Sequence, residues 1–171
     1  MNIYPLEGDL ITGEIDWCKS AKSYDNYRII SGAVQTTQLI CNVFHKNGFK
    51  TLFNPYGLNH PNTLWASESY PNFCNILALC NGIFNEYTFR FGKIHKGQDI
   101  ITELTNDLEK VKFANKESTK YVSLVPDEYK NENPIIACRN YYLSKEKIRY
   151  PKNRIPKWFE EQRELPYQVL K

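Results

Sequence analysis

The sequence predicts an all-α fold, a compact single-domain helical bundle of about six helices, and three observations predict it. Apolar residues recur at three- and four-residue steps through two long stretches, around Ile29 to Phe44 and Phe73 to Phe91. Helix-start and helix-stop residues bracket those stretches. Strand signals, meaning apolar and polar residues in strict alternation, are sparse.

Residues 1–11 read as an extended lead with Pro5 and Gly8 as breakers, and Thr12 with Ile15 as the start of a short helix. From Ser20 the stretch SAKSYDNYRIISGAVQTTQLICNVFHKNG carries Ile29, Ala33, Ile40, Cys41 and Phe44 at helical period, with Gly48 as its stop. Gly32 inside it costs roughly 1 kcal/mol against Ala, a sign that another backbone or a ligand comes close. A loop over 49–59 holds Pro55 and Gly57 and leads to His60-Pro61, after which Asn62 or Thr63 starts a helix carrying Trp65 and Glu68. Pro71 separates it from the central helix, whose greasy side is Phe73, Ile76, Leu77, Cys80, Phe84 and Phe91. Gly97 breaks that pattern, and 98–111 reads as an amphipathic helix through Ile100, Ile101, Leu104 and Leu108. A polar loop covers 112–120, a short apolar run 122–126 and a turn-rich stretch PDEYKNENP. Pro134 then opens a helix with Ile135, Cys138 and Tyr142. Residues 150–171 form a basic, aromatic tail whose Trp158 and Phe159 dock on the core.

One domain spanning 1–171 is long enough to bury a core without staples. Twenty-two Lys and Arg against 19 Asp and Glu give a net charge of +3, which permits nucleic-acid or nucleotide binding without demanding it. The 5 cysteines make no CxxC pair and read as small buried hydrophobes of a reducing compartment. The 3 histidines lack ligand spacing, so no metal site and no cofactor are expected. No apolar run reaches membrane-spanning length, and MNIYPLEGD lacks the basic and apolar regions of a signal peptide. The expectation is a soluble cytoplasmic protein with no membrane partner.

Candidate site residues fall in four groups. Glu86, Arg90 and Lys93 project in one column beyond Leu79 and Ile83, with Tyr87, His95 and Lys96 nearby. An ordinary i,i+4 helix pair accounts for Glu86 and Arg90; a cleft holding a phosphate or a base accounts for the whole group. Asp25, Asn26 and Arg28 cluster at a helix start, either as cap and surface arginine or as a carboxylate and guanidinium supporting an anion. Trp65 near His60 is a core residue or a stacking platform. Arg139, with Tyr142 and the interleaved Arg149, Lys152, Arg154 and Lys157, suits phosphate contacts, or a solvated terminus.

The segment SAKSYDNYRIISGAVQTTQLI resembles the SAxxLDNxRLxxxxxExxQLL opening of small virus- and bacterium-encoded proteins of the pyrimidine-dimer DNA glycosylase-like family. NHPNTLWASES, EYTFRFGKIHK, PDEYK and RNYYLSKEK resemble later blocks of the same proteins, in the same order and at similar spacing, from Ser20 to Phe159. That resemblance implies a helical protein that removes a damaged or modified base, with an abasic-site lyase step using an amine, sometimes the N-terminal α-amine, and a carboxylate. Asp25, Asn26 and Arg28 match the DNxR block and Gln38 its later Gln, but Gln35 stands where the family has Glu and Tyr27 where it has Lys.

Glycosidic cleavage needs an extruded base and a carboxylate or amine at the developing sugar cation. Asp25 is the first candidate for the carboxylate and Glu86 the second; Lys93 or Lys96 could supply an amine. Arg28, Arg90 and His95 would hold phosphates, and Asn26, Gln35, His60, Trp65, Tyr87, Arg139 and Tyr142 complete the binding set. The expected partner is DNA or a small nucleotide, bound as a flipped base in a helical cleft of a viral, DNA-repair-like protein in the host cytoplasm. Gln35 in place of Glu motivates the alternative, a non-catalytic binder that sequesters a nucleotide signal of host defence.

Overall fold

Two long helices set the architecture of the computed structural model, which describes residues 1–163. These are α2 (Asn26–Lys46) and α4 (Tyr70–Phe91), packed side by side; α1 (Trp17–Lys22) and α3 (Pro61–Glu68) lie against α4, and α5 (Gly97–Thr105) against α2. Further along the chain come α6 (Pro134–Leu143) and α7 (Lys157–Arg163). The fold is all-α: seven α-helices and no β-strand occur among the described residues, which carry only two isolated bridges, Gly8 with Ile15 and Ser69 with Asn115. None of these helices is long and apolar enough to cross a membrane.

Local chemistry explains the boundaries. Ser69 caps α4 by accepting from the Asn72 amide, Pro71 sits in its first turn, and Gly92 at φ 64° ends it with a bond from its amide to the Thr88 carbonyl. His60 caps α3 with its ring, and Asn133 caps α6 just before Pro134. α5 stops at Thr105 rather than running on to 111, because Asn106 and Asp107 turn the chain and 108–110 makes only a single 3-10 turn. The first helix starts at Trp17, where Asp16 accepts from the Lys19 amide; Thr12 belongs to a turn held by Asp9.

Residues 3–6 of the extended lead turn out to be core, while 8–11 are exposed. Ile3, Tyr4 and Leu6 are buried, with the Tyr4 amide donating to Tyr24 Oη and the Leu6 amide to Ser20 Oγ. Four buried residues in a row carry no periodicity, which is why the pattern left them unassigned. Trp158 and Phe159 of α7 dock on the same core, while the tail beyond 163 lies outside the described residues.

Close helix approach accounts for two glycines. A β-carbon at Gly32 would stand 3.2 Å from Ile83 Cδ1, and one at Gly82 would stand 2.7 Å from Ala21 Cβ and 3.1 Å from the Cys18 carbonyl oxygen. Gly82→Ala therefore forces α1 off α4, and urea unfolding should show a loss of about 1–3 kcal/mol, the usual cost of overpacking.

Candidate functional site

The charged groups after Phe84 and those before Ile29 do come together. Arg90 Nη1 donates to the Tyr24 carbonyl at 2.7 Å and to Asn26 Oδ1 at 3.3 Å, and Nη2 donates to the Lys22 carbonyl. Its Nε donates to Glu86 Oε2 at 2.9 Å, and Arg154 reaches the same carboxylate at 3.2 Å. The Arg90 and Glu86 side chains are 1% and 5% exposed, so no ligand stands between the two groups. Glu86 and Arg90, expected to line a cleft, instead clamp the α1–α2 junction to α4.

Asp25 is buried at the head of α2. Its Oδ1 accepts from Arg28 Nη1 at 2.8 Å and from Tyr142 Oη at 3.1 Å, while Oδ2 has no partner among the described residues. Burial, and then the Asp25 charge, push the Tyr142 phenol well above its ordinary range, so it stays protonated as a donor. The Arg28 guanidinium lies 4.5 Å from the Tyr142 ring centre and 5.8 Å from that of Tyr4.

From Tyr4 the chain runs back to a second polar centre, where two more predicted residues, Gln35 and His60, gather. The Asn2 amide donates to Gln35 Oε1 at 2.7 Å, and the Met1 amino group lies 3.4 Å from His60 Nε2. Asn62 Nδ2 donates to the Met1 carbonyl at 2.9 Å; Asn42 Nδ2 donates to the Tyr56 carbonyl and to Thr63 Oγ1 and contacts the Met1 sulfur. Gln38 Nε2 donates to Asn42 Oδ1 and to the Asn54 carbonyl, tying α2 to the 49–59 loop.

The Asn62 backbone amide donates to His60 Nδ1 at 3.2 Å, so in the neutral ring the proton sits on Nε2. An Nε2–H facing the amino group is repelled by an ammonium and accepted by a neutral amine. Burial lowers the Met1 amine from its ordinary 8.0, and burial together with the Met1 charge lowers His60 from 6.5. Both groups therefore favour the uncharged state.

A stability effect follows, and its sign is fixed. The unfolded chain takes up protons at these groups more readily than the folded one, so stability is full above the unfolded values and falls as pH drops through the folded ones. Urea midpoints should decline as pH is lowered from 8 through 6.5, and His60→Asn should flatten that slope. His95, lowered by burial as well, leaves a residual slope in the variant.

The remaining predicted residues have other attachments. Trp65 belongs to an aromatic cluster with Trp17 and Tyr121 and donates from Nε1 to the Thr119 carbonyl. Arg139 is buried, donating to the Leu6 carbonyl and pairing with Glu7 at 3.1 Å under the Trp158 ring. His95 stacks on Phe84 and meets Tyr87 edge-on at the α4–α5 turn, its Nδ1 accepting from the Gly97 amide, while Lys93 and Lys96 are exposed there. No group of three or more His, Cys, Asp or Glu suited to a metal ion occurs among the described residues. Burial pushes the Cys80 thiol up to about 12, which makes it an inert core residue.

Sequence reasoning missed Asn42, Asn62 and Tyr4. The signal for Asn42 was present: Gln35, Gln38 and Asn42 make a stripe of amides at three- and four-residue spacing along α2. No family model matches the chain, and comparison with curated proteins and with solved structures gave no match.

Proposed function

We propose that this chain is a DNA-glycosylase-like protein that acts on, or binds, a flipped base or abasic sugar at the Met1 amine, beside His60 and Gln35, with Arg28 packed over Tyr4 three residues along the chain. The observation that carries this reading is the Met1 amino group 3.4 Å from a His60 ring whose tautomer favours a neutral amine. A neutral amine is a nucleophile, and a protonated one is not. Arg28, stacked on Tyr142, supplies a guanidinium for a phosphate.

In the lyase step the amine nitrogen adds to the C1′ aldehyde of an abasic sugar, and the resulting carbinolamine loses water to give an imine. Loss of the C2′ proton then breaks the C3′–O bond, with the phosphate leaving, and water hydrolyses the imine to return the free amine. The resemblance of the 20–40 segment to the pyrimidine-dimer glycosylase-like family supports the same chemistry, with Gln35 at the position of that family's Glu.

Borohydride reduction in the presence of abasic duplex DNA tests the reading. The expected result is a covalent adduct that maps to the Met1 peptide and disappears when extra residues are fused ahead of Met1. An adduct on a lysine, or none with abasic or cyclobutane-dimer duplex, would overturn catalysis. Gln35 favours a second reading, a non-catalytic nucleotide binder, because an amide pairs with base edges and cannot accept a proton. Thermal stabilisation by a free cyclic or ADP-ribose-type nucleotide, without salt-dependent duplex binding, would select it.

A further inference from the structure

Residues 120–125 carry a row of unpaired backbone groups beside α3, whose Asn62 side chain also reaches the Met1 carbonyl. Just before them, the Thr119 amide donates to Asn72 Oδ1 and the Thr119 carbonyl accepts from Trp65 Nε1, both at 3.1 Å. Just after them, the chain turns at 127–129, with the Tyr129 amide bonded to the Pro126 carbonyl. Between these points no backbone N–H or C=O from Lys120 to Val125 makes a hydrogen bond within the described residues. Tyr121, Ser123 and Val125 are buried, Lys120 and Val122 exposed, and this two-residue alternation is that of an extended strand. Here is a strand geometry without a sheet.

Both flanks are open. On one, a hollow of about 570 Å³ is bordered by Tyr121, Val122, Asn131 and Pro134; on the other, a hollow of about 380 Å³ is bordered by Val122, Leu124, Pro61, Leu64 and Trp65. Val122 is 69% exposed and Leu64 40% exposed beside the second hollow. A row of free donors and acceptors next to an apolar hollow is the arrangement by which an extended peptide adds to a strand edge: backbone bonds hold it and alternate side chains are received.

We propose that residues 120–125 are a docking edge for an extended peptide of another protein, which pairs as a β-strand and sets an apolar side chain between Val122, Leu64 and Trp65. Lys120 has no carboxylate partner among the described residues and faces an acidic residue of that peptide. A second copy of this chain is the poorer occupant. Antiparallel self-pairing about Val122 would set Glu117 against Asp127 and Lys120 against Leu124, like charges in one pair and a lysine over an apolar residue in the other.

Selection of displayed random peptides on the full chain, followed by residue-resolved hydrogen exchange, tests this. Selected peptides should share alternating apolar positions with a flanking Asp or Glu and slow exchange of the 120–125 amides. They should bind Val122→Pro, which removes one donor, more weakly by about tenfold or more. Should that variant fail to fold, the exchange map of the unsubstituted chain decides alone. Peptides that protect other amides, or none that protect these, would overturn the proposal. So would protection without peptide that grows with protein concentration, which would assign the edge to a second copy. None of these outcomes depends on the Met1 amine.

Discussion

Arg90→Met should lower the free energy of unfolding by about 3–5 kcal/mol, the cost of leaving a buried ion pair with one partner. In a domain of this size that is a Tm loss on the order of 10 °C. Arg90 is a single point of attachment for four acceptors, the Glu86 carboxylate, the carbonyls of Lys22 and Tyr24, and Asn26 Oδ1. Its loss leaves Glu86 with Arg154 alone and two carbonyls at the α1–α2 junction without their donor. Glu86→Gln in the same chain removes the stranded charge and should restore part of the loss, a coupling that a double-mutant cycle reads directly. Equal losses in the single and double variants would show that the pair is not the clamp described here.

The second large effect is expected at Gln35→Glu. The amide oxygen at this position accepts from the Asn2 backbone, one residue from the amine, and a carboxylate would keep that bond while adding a negative charge beside the reacting centre. A carboxylate takes up the C2′ proton and opposes the developing positive charge on the sugar, effects of general-base and electrostatic origin that an amide cannot supply. Single-turnover strand cleavage on abasic duplex should therefore rise by about 100-fold, the low end of such contributions. The new charge also favours protonation of the amine, so the pH at which activity appears should move upward. Unchanged cleavage together with unchanged pH dependence would mean that residue 35 does not face the reaction.

Much of the architecture was legible because helix starts and stops obey local rules. His60-Pro61, Pro71 and Pro134 mark helix starts through their own side chains and dihedrals, whereas the central helix stops at Gly92, ahead of Gly97 where its pattern was expected to break. The end of α5 was not, since Leu108 and Val111 continue the apolar period past the Asn106-Asp107 turn. α7 was hidden within a stretch whose basic residues dominate its pattern.

The site divides in the same way. The spacing of Glu86 and Arg90 marks a helix pair, but their roles depend on Tyr24 and Lys22 carbonyls from a distant segment, which spacing does not encode. Arg28, Gln35 and His60 were legible as polar residues at helix starts and along a family-like block. What joins them is the path of residues 1–4, a segment too short to show any period.

The most direct test of this account is the titration of the Met1 amine itself, labelled by reductive methylation with isotopically enriched formaldehyde and followed by NMR. The account predicts a midpoint below the ordinary 8.0 that returns toward it in His60→Ala, where the ring no longer shields and repels the ammonium. A midpoint at or above 8.0, unmoved by that substitution, would contradict it.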